Sequence, residues 1–129
     1  MEELEVIKKE LERKAKVEKF LEDINSPKKL REYFKSQYIP KLSPALRKTD
    51  QSYFKQTESH LNDKYVFLDR AIVVEQTEDD STVNFKYQKE KDNYFKTYFS
   101  VNYKDKEPRI ESNVLQESDL VKFLKVAIM

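Results

Sequence analysis

The sequence predicts an α+β protein, with N-terminal helices packed on a curved four-stranded antiparallel meander and a short C-terminal helix. Between residues 2 and 61 apolar side chains recur every three or four positions, which is the period of an amphipathic helix. From residue 65 to residue 114 shorter apolar stretches mostly alternate with polar residues, which indicates strands. Helical spacing returns at residues 118–129. Helices that precede a run of strands are typical of the α+β class.

Chain length and composition indicate one folded domain. The chain has 129 residues, a hydrophobic content of 38% and a formal net charge of +1, whereas disordered chains combine low hydrophobicity with high net charge. We therefore predict a single domain over residues 1–129, with a helical part at 1–61, a sheet at 65–114 and a C-terminal helix at 118–129. Because no apolar run reaches about 18 residues, we expect a cytoplasmic protein. An excised extracellular or periplasmic domain is the alternative.

The helical part begins with an amphipathic helix over residues 2–24. Its apolar residues are Leu4, Ile7, Leu11, Ala15, Val17, Phe20, Leu21 and Ile24. Lys14 interrupts this series, and about three heptads are too few to predict a long coiled coil. A second helix is predicted to start at Pro27, because serine is a preferred N-cap residue and proline is favoured at the first helical position. A further short helix is expected at about residues 51–61.

The sheet is predicted to contain four strands. Residues 65–74 carry apolar side chains at both odd and even positions. This pattern indicates one strand that is covered on both faces, with Val73 in the core. Val83, Phe85 and Tyr87 alternate with polar residues and predict a second strand. The third strand is expected from Phe95 to Tyr103 and a short fourth one at residues 110–114. Polar turn segments separate these stretches.

Helices that roof a curved antiparallel meander resemble the cone fold of nuclear transport factors and of type IV secretion core components. The layout is also similar to the cystatin-like fold. The resemblance lies in the order of the elements and covers most of the chain, and the Asn-Pro-Leu-Gly signature of the secretion components is absent. It implies an assembly or binding module, which is an expectation by fold analogy.

The composition argues against several classes of enzyme, because the chain contains no glycine and no cysteine. Phosphate-binding loops, dinucleotide fingerprints and nucleophile elbows require glycine at fixed positions. Thiolate metal sites and thiol catalysis require cysteine. His60 is the single histidine, and it has no partner residues at the spacing of a metal site. We therefore predict a non-enzymatic protein with no catalytic, cofactor-binding or metal-binding residues.

The predicted function is binding or assembly through contacts with a protein partner. The candidate contact residues are Tyr94, Lys96 and Tyr98, which fall on the outward parity of the third strand, opposite Phe95 and Phe99. Exposed tyrosines are enriched in protein interfaces because each has an apolar ring and a polar tip.

The alternative is an accessory factor that binds nucleic acid or a ribonucleoprotein through a basic segment at residues 28–55. The segment carries eight basic residues and only two acidic ones, with aromatic residues between them, which is typical of nucleic-acid surfaces. Its basic residues are Lys28, Lys29, Arg31, Lys35, Lys41, Arg47, Lys48 and Lys55.

Overall fold

The computed structural model describes residues 2–48, 53–89 and 93–129, and it has the predicted α+β architecture. The helices of these segments are α1 (Glu2–Asp23), α2 (Pro27–Gln37), α3 (Ile39–Arg47) and α4 (Glu117–Ile128). The strands are β1 (Phe54–Glu58), β2 (Asn62–Phe67), β3 (Arg70–Gln76), β4 (Thr82–Gln88), β5 (Lys96–Lys104), β6 (Glu107–Ile110) and β7 (Asn113–Val114). No helix within those three segments is both long enough and apolar enough to cross a membrane.

The strands form one antiparallel sheet in the order β1-β2-β3-β4-β5-β6-β7, so each strand pairs with its neighbour in the chain. Within the described residues the meander has seven strands, and the prediction of four was wrong. The expected helix at 51–61 was wrong: the strand β1 occupies Phe54–Glu58, and residues 59–61 form the turn into β2. Residues 51–52 lie outside the described residues. The expected strand at 65–74 is a hairpin of β2 and β3 that turns at Leu68 and Asp69.

The hydrophobic core lies between one face of the sheet and the helices α2 and α4. Val83 and Phe85 of β4 and Val101 of β5 are fully buried on this inner face. The ring of Phe85 lies 5.5 Å from that of Phe34 in α2 and 5.3 Å from that of Phe123 in α4, measured between centroids. Both contacts are edge-to-face, the favoured geometry for aromatic pairs. The three rings therefore join the sheet to both helices.

The other face of the sheet is polar. Strand alternation places Asn84 and Ser100 there, and their side chains form a 2.6 Å hydrogen bond. Lys86 and Glu75 form an ion pair of 3.2 Å across β3 and β4. Val73 also belongs to this face and is only half-buried, whereas its neighbours Ile72 and Val74 are buried. The prediction that Val73 is a core residue was therefore wrong.

Among the described residues, only the C-terminal end of α1 packs against the rest of the structure. Phe20 is buried, and Ile24, which follows the helix, is fully buried. The Tyr103 hydroxyl in β5 donates a 2.7 Å hydrogen bond to the Ile24 carbonyl. Residues 2–19 are all exposed. The sheet is thus packed against α2 and α4, and α1 does not cover it along most of its length.

The start of α2 agrees with the sequence prediction. Pro27 is the first residue of the helix, and the Ser26 hydroxyl accepts a 3.2 Å hydrogen bond from the Lys29 backbone N–H. The cap satisfies a backbone donor that has no partner within the helix. It fixes the point at which the chain leaves α1 and enters the core.

Candidate functional site

Arg31 in α2 lies in a buried polar cluster at one end of the sheet. Its guanidinium forms a bidentate ion pair with Asp63 of β2, with Nε–Oδ2 and Nη2–Oδ1 distances of 3.1 and 3.2 Å. It also donates to the carbonyls of Ser59 and His60 and to the Gln76 side chain, at 3.0 to 3.2 Å. Since five N–H donors are all that an arginine has, Arg31 has none left for a ligand.

A cleft of about 290 Å³ lies beside this cluster. Its charged side chains are Lys28, Arg31, Lys35, Glu32, Glu58 and Asp63, three of each sign. Lys35 and Glu58 are 3.2 Å apart, and hydrogen bonds from Lys35 and Gln56 hold the pKa of the Glu58 carboxyl below its usual value. The charges therefore balance, and the cleft is not a basic cradle for an anion.

The remaining basic residues of segment 28–55 are exposed but spread over different parts of the surface. Lys29 lines a shallow cleft with the acidic residues Glu22 and Asp23. The Arg47 guanidinium lies 5.0 Å from the ring centroid of Phe54, a cation–π contact. The other three, Lys41, Lys48 and Lys55, are exposed on α3, just after it and on β1. The structure divides the segment between a buried cluster, a balanced cleft and scattered surface positions.

A β-bulge in β5 alters the predicted surface of Tyr94, Lys96 and Tyr98. Phe85 pairs with Phe99, but the next residue of β4 pairs with Thr97, so Tyr98 is left between them without a partner in register. Its ring lies 5.8 Å from that of Phe123 in α4, on the helix-covered face. Lys96 and Tyr98 therefore do not follow the simple strand alternation on which the predicted outward surface rested.

Two of these three side chains remain close to each other. Tyr94 is 61% exposed, and the Lys96 ammonium lies 5.9 Å from the centroid of its ring. Tyr98 is 39% exposed because part of its ring packs against Phe99 and Phe123. The tyrosine surface is thus smaller than predicted, and one of its members contributes to the packing of α4.

The exposed part of α1 carries a row of three large apolar side chains. Leu4, Ile7 and Leu11 are 60%, 56% and 62% exposed. Their spacing of three and four residues places them on one side of the helix. At 3.6 residues per turn, Phe20 lies about 160° around the helix from Leu4. Because Phe20 packs into the core, this row, the α1 stripe, is directed away from the rest of the protein.

In the sequence, Leu4, Ile7 and Leu11 fall in one apolar series with Phe20 and Ile24, and such a series predicts a single apolar side of the helix. The angular offset between Leu4 and Phe20 was present in the sequence, and it would have separated the α1 stripe from the packing side. The single series of apolar residues therefore includes members of two different sides of the helix. Val6 and Val17 continue the packing side, and they too are exposed.

Histidine and acidic residues form no metal centre within residues 2–48, 53–89 and 93–129. The His60 carbonyl accepts a hydrogen bond from Arg31, and the residue itself is exposed. Asp79, in the acidic β3–β4 turn, accepts hydrogen bonds from the hydroxyls of Thr77 and Ser81 at 2.6 and 2.7 Å. These bonds lower the pKa of the Asp79 carboxyl. Its carboxylate is thereby engaged in shaping the turn.

Comparison with known proteins identifies no relative of this chain. No protein-family model matches it, and neither a curated protein nor a solved structure does so. The cone-fold and cystatin-like layouts are therefore not confirmed.

Proposed function

We propose that this protein acts by binding another protein, without catalysis, and that the α1 stripe is its main contact surface. The observation that carries the proposal is the exposure of Leu4, Ile7 and Leu11 on a helix whose first 18 residues lie free of the core. Groups of exposed apolar side chains on a folded protein are typical of interaction sites. Positions i, i+3 and i+7 are those at which an amphipathic helix inserts anchors into a partner.

The charges of α1 favour a protein over a lipid surface as the partner. The helix has eight acidic and six basic side chains. Helices that lie on anionic membranes have an excess of lysine and arginine on their polar face. An acidic helix would be repelled by such a membrane, whereas mixed charges suit a partner helix or groove with its own charge pattern.

Recovery of bound proteins from an extract of the source cells tests the proposal. Three tagged, purified proteins serve as baits in parallel. They are the wild type, a double variant of the stripe (Leu4→Ser with Leu11→Ser) and a control double variant on the polar side of α1 (Lys9→Ser with Glu12→Ser). We expect wild type and control to retain the same proteins, and the leucine variant to lose them at least tenfold. All three baits should keep the same thermal midpoint because the substituted side chains are exposed. Equal recovery by all three would refute the role of the stripe.

The second candidate is binding of nucleic acid through the basic residues that remain accessible. It is favoured by the exposure of Lys41, Arg47, Lys48 and Lys55. Phosphate contacts release counterions, so each one adds about 0.7 to 0.9 to the log–log slope of affinity against salt. Replacement of Lys41 and Lys48 by glutamine should then reduce this slope by about 1.4 to 1.8. If partners are still recovered after nuclease treatment, and if their recovery depends on Leu4 and Leu11, the result favours protein binding through the α1 stripe.

A further inference from the structure

We infer that the α1 stripe binds the α1 stripe of a second copy of this chain, with the two helices parallel. This inference rests on the proposed function and names its partner. In heptad terms Leu4 and Leu11 occupy a positions and Ile7 the d position between them, the pattern that faces the partner in a two-stranded coiled coil. The residues that flank this row decide the orientation.

Parallel pairing brings opposite charges together. In a parallel pair, a g residue faces the e residue five positions later on the partner. Glu3 therefore lies opposite Lys8 of the second copy, and symmetry repeats the contact. Beyond Leu11, Lys14 occupies the next d position and Glu18 the following a position, and in a parallel pair each of them would face its own copy. The parallel contact therefore ends at Leu11 and leaves Lys14 outside it.

Antiparallel pairing brings like charges together. When Ile7 of one helix faces Leu11 of the other, e residues face e residues and g residues face g residues. Lys8 then lies opposite its own copy, and so does Glu10. Lys14 would also face Leu4, which leaves a charge against an apolar side chain. The charge pattern therefore favours the parallel arrangement.

The position of the stripe leaves room for a second copy. It faces away from Phe20, which attaches α1 to the core, so a helix can approach without meeting the rest of the domain. Residues 2–18 span about 25 Å at 1.5 Å per residue. Three apolar layers give a small contact area, so the dimer should be weak and should form only at high concentration.

Sedimentation equilibrium of the purified protein, from about 10 μM to about 1 mM, tests whether the dimer forms. We expect the mass to rise from monomer towards dimer, together with an increase in helical circular dichroism, because pairing stabilises a helix that has few other contacts. The paired variant Leu4→Ser with Leu11→Ser should stay monomeric, and Lys9→Ser with Glu12→Ser should dimerise like wild type. A wild-type protein that is monomeric throughout, or a leucine variant that dimerises normally, overturns the inference.

Charge exchange tests the orientation. Lys8→Glu should weaken the dimer at least fivefold, because it places two glutamates opposite each other in the parallel pair. Adding Glu3→Lys should restore it, whereas Lys9→Glu, the matched control, should have no effect on association. In the antiparallel arrangement residue 8 faces its own copy, so Glu3→Lys would not rescue. Absence of rescue therefore overturns the parallel arrangement.

The two proposals fail in different ways. A monomeric purified protein whose capture of other proteins still depends on Leu4 and Leu11 refutes only the second copy as partner. Dimerisation and capture that are both insensitive to these leucines refute the role of the stripe itself.

Discussion

Arg31 in α2 and Asp63 in β2 form a bidentate ion pair between positions 32 residues apart. Both residues are buried, with 9% and 4% of their surface exposed. The same guanidinium holds the carbonyls of the β1–β2 turn and the end of β3. One side chain thus connects α2 to the first three strands, and the stability of this corner depends on its charge remaining paired.

Asp63→Ala should lower the free energy of unfolding by about 3 to 5 kcal/mol, because it leaves the buried Arg31 charge without its partner. Arg31→Lys should also destabilise, since an ammonium cannot reproduce the planar arrangement of five donors. Urea unfolding at neutral pH measures both effects. As a control, Asp23→Ala removes an exposed ion pair with Lys19 and should change little. An Asp63→Ala variant as stable as that control would show that the cluster is not structurally important.

Val74→Asp should unfold the protein, whereas Val73→Asp should leave it folded. Val74 is 1% exposed in the core, and an unpaired carboxylate there costs several kcal/mol. Val73 lies on the polar face, in register with Lys64 and Lys86, where a carboxylate meets water and two cations. Circular dichroism and thermal unfolding of both variants check the assignment of the two faces. Equal destabilisation by the two substitutions would contradict it.

Lys106→Gly should raise the free energy of unfolding by about 0.5 to 1 kcal/mol. Asp105 and Lys106 form the two-residue turn between β5 and β6, with φ values of 53° and 66°. Two positive φ angles indicate a type I′ turn, in which glycine is favoured because it has no Cβ. Lys104→Gly, in the adjoining strand, is the matched control and should destabilise. Thermal unfolding compares them, and stabilisation by both, or by neither, would contradict this reading of the turn.

The protein should lose stability in alkaline solution from about pH 10 upward. Burial raises the pKa of Tyr65 and of Tyr103 above the usual value. Above about pH 10 the unfolded chain releases these phenolic protons before the folded protein does, so each tyrosine lowers stability by up to about 1.4 kcal/mol per pH unit. Below that pH the contribution of both is fully present. Urea unfolding across this range measures the slope.

Tyr65→Phe should make the alkaline decline shallower without loss of stability at pH 7. Among the described residues the buried Tyr65 hydroxyl has no hydrogen-bond partner, so its removal leaves no group unsatisfied. Tyr103→Phe should cost about 1 kcal/mol at pH 7, because it deletes the hydrogen bond to the Ile24 carbonyl. A steeper alkaline decline in Tyr65→Phe would contradict the assignment.

The sequence predicted the order of helices and strands but not the number of strands, and the hairpin turns explain the difference. The chain turns at Leu68, Lys106 and Glu111 with φ values between 56° and 66°. Positive φ is normally marked by glycine or asparagine. Because neither glycine nor asparagine occurs at the turn between β2 and β3, the sequence of residues 65–74 resembles that of one apolar strand. The absence of glycine, which argued against several enzyme classes, also removed the clues to the hairpins.

The candidate site was less predictable than the fold. Arg31 belonged to a run of basic residues, and only the three-dimensional position of Asp63 shows that it is buried. Tyr98 was placed by strand alternation, which the bulge opposite Phe85 and Lys86 interrupts. Both differences come from tertiary contacts across long stretches of sequence. The apolar residues of α1 were identified correctly, but not the side of the helix on which they lie.

The sequential order of the sheet has a consequence for how the chain folds. Each strand pairs with the one before it, and three of the connections contain two residues. Short loops close at low entropic cost, so neighbouring hairpins should form early and rapidly. The hydrogen bond between Tyr103 and Ile24 joins residues 79 positions apart, and attachment of α1 should follow the sheet. A chain arrested before that step would already have its sheet, with its longest helix still unattached.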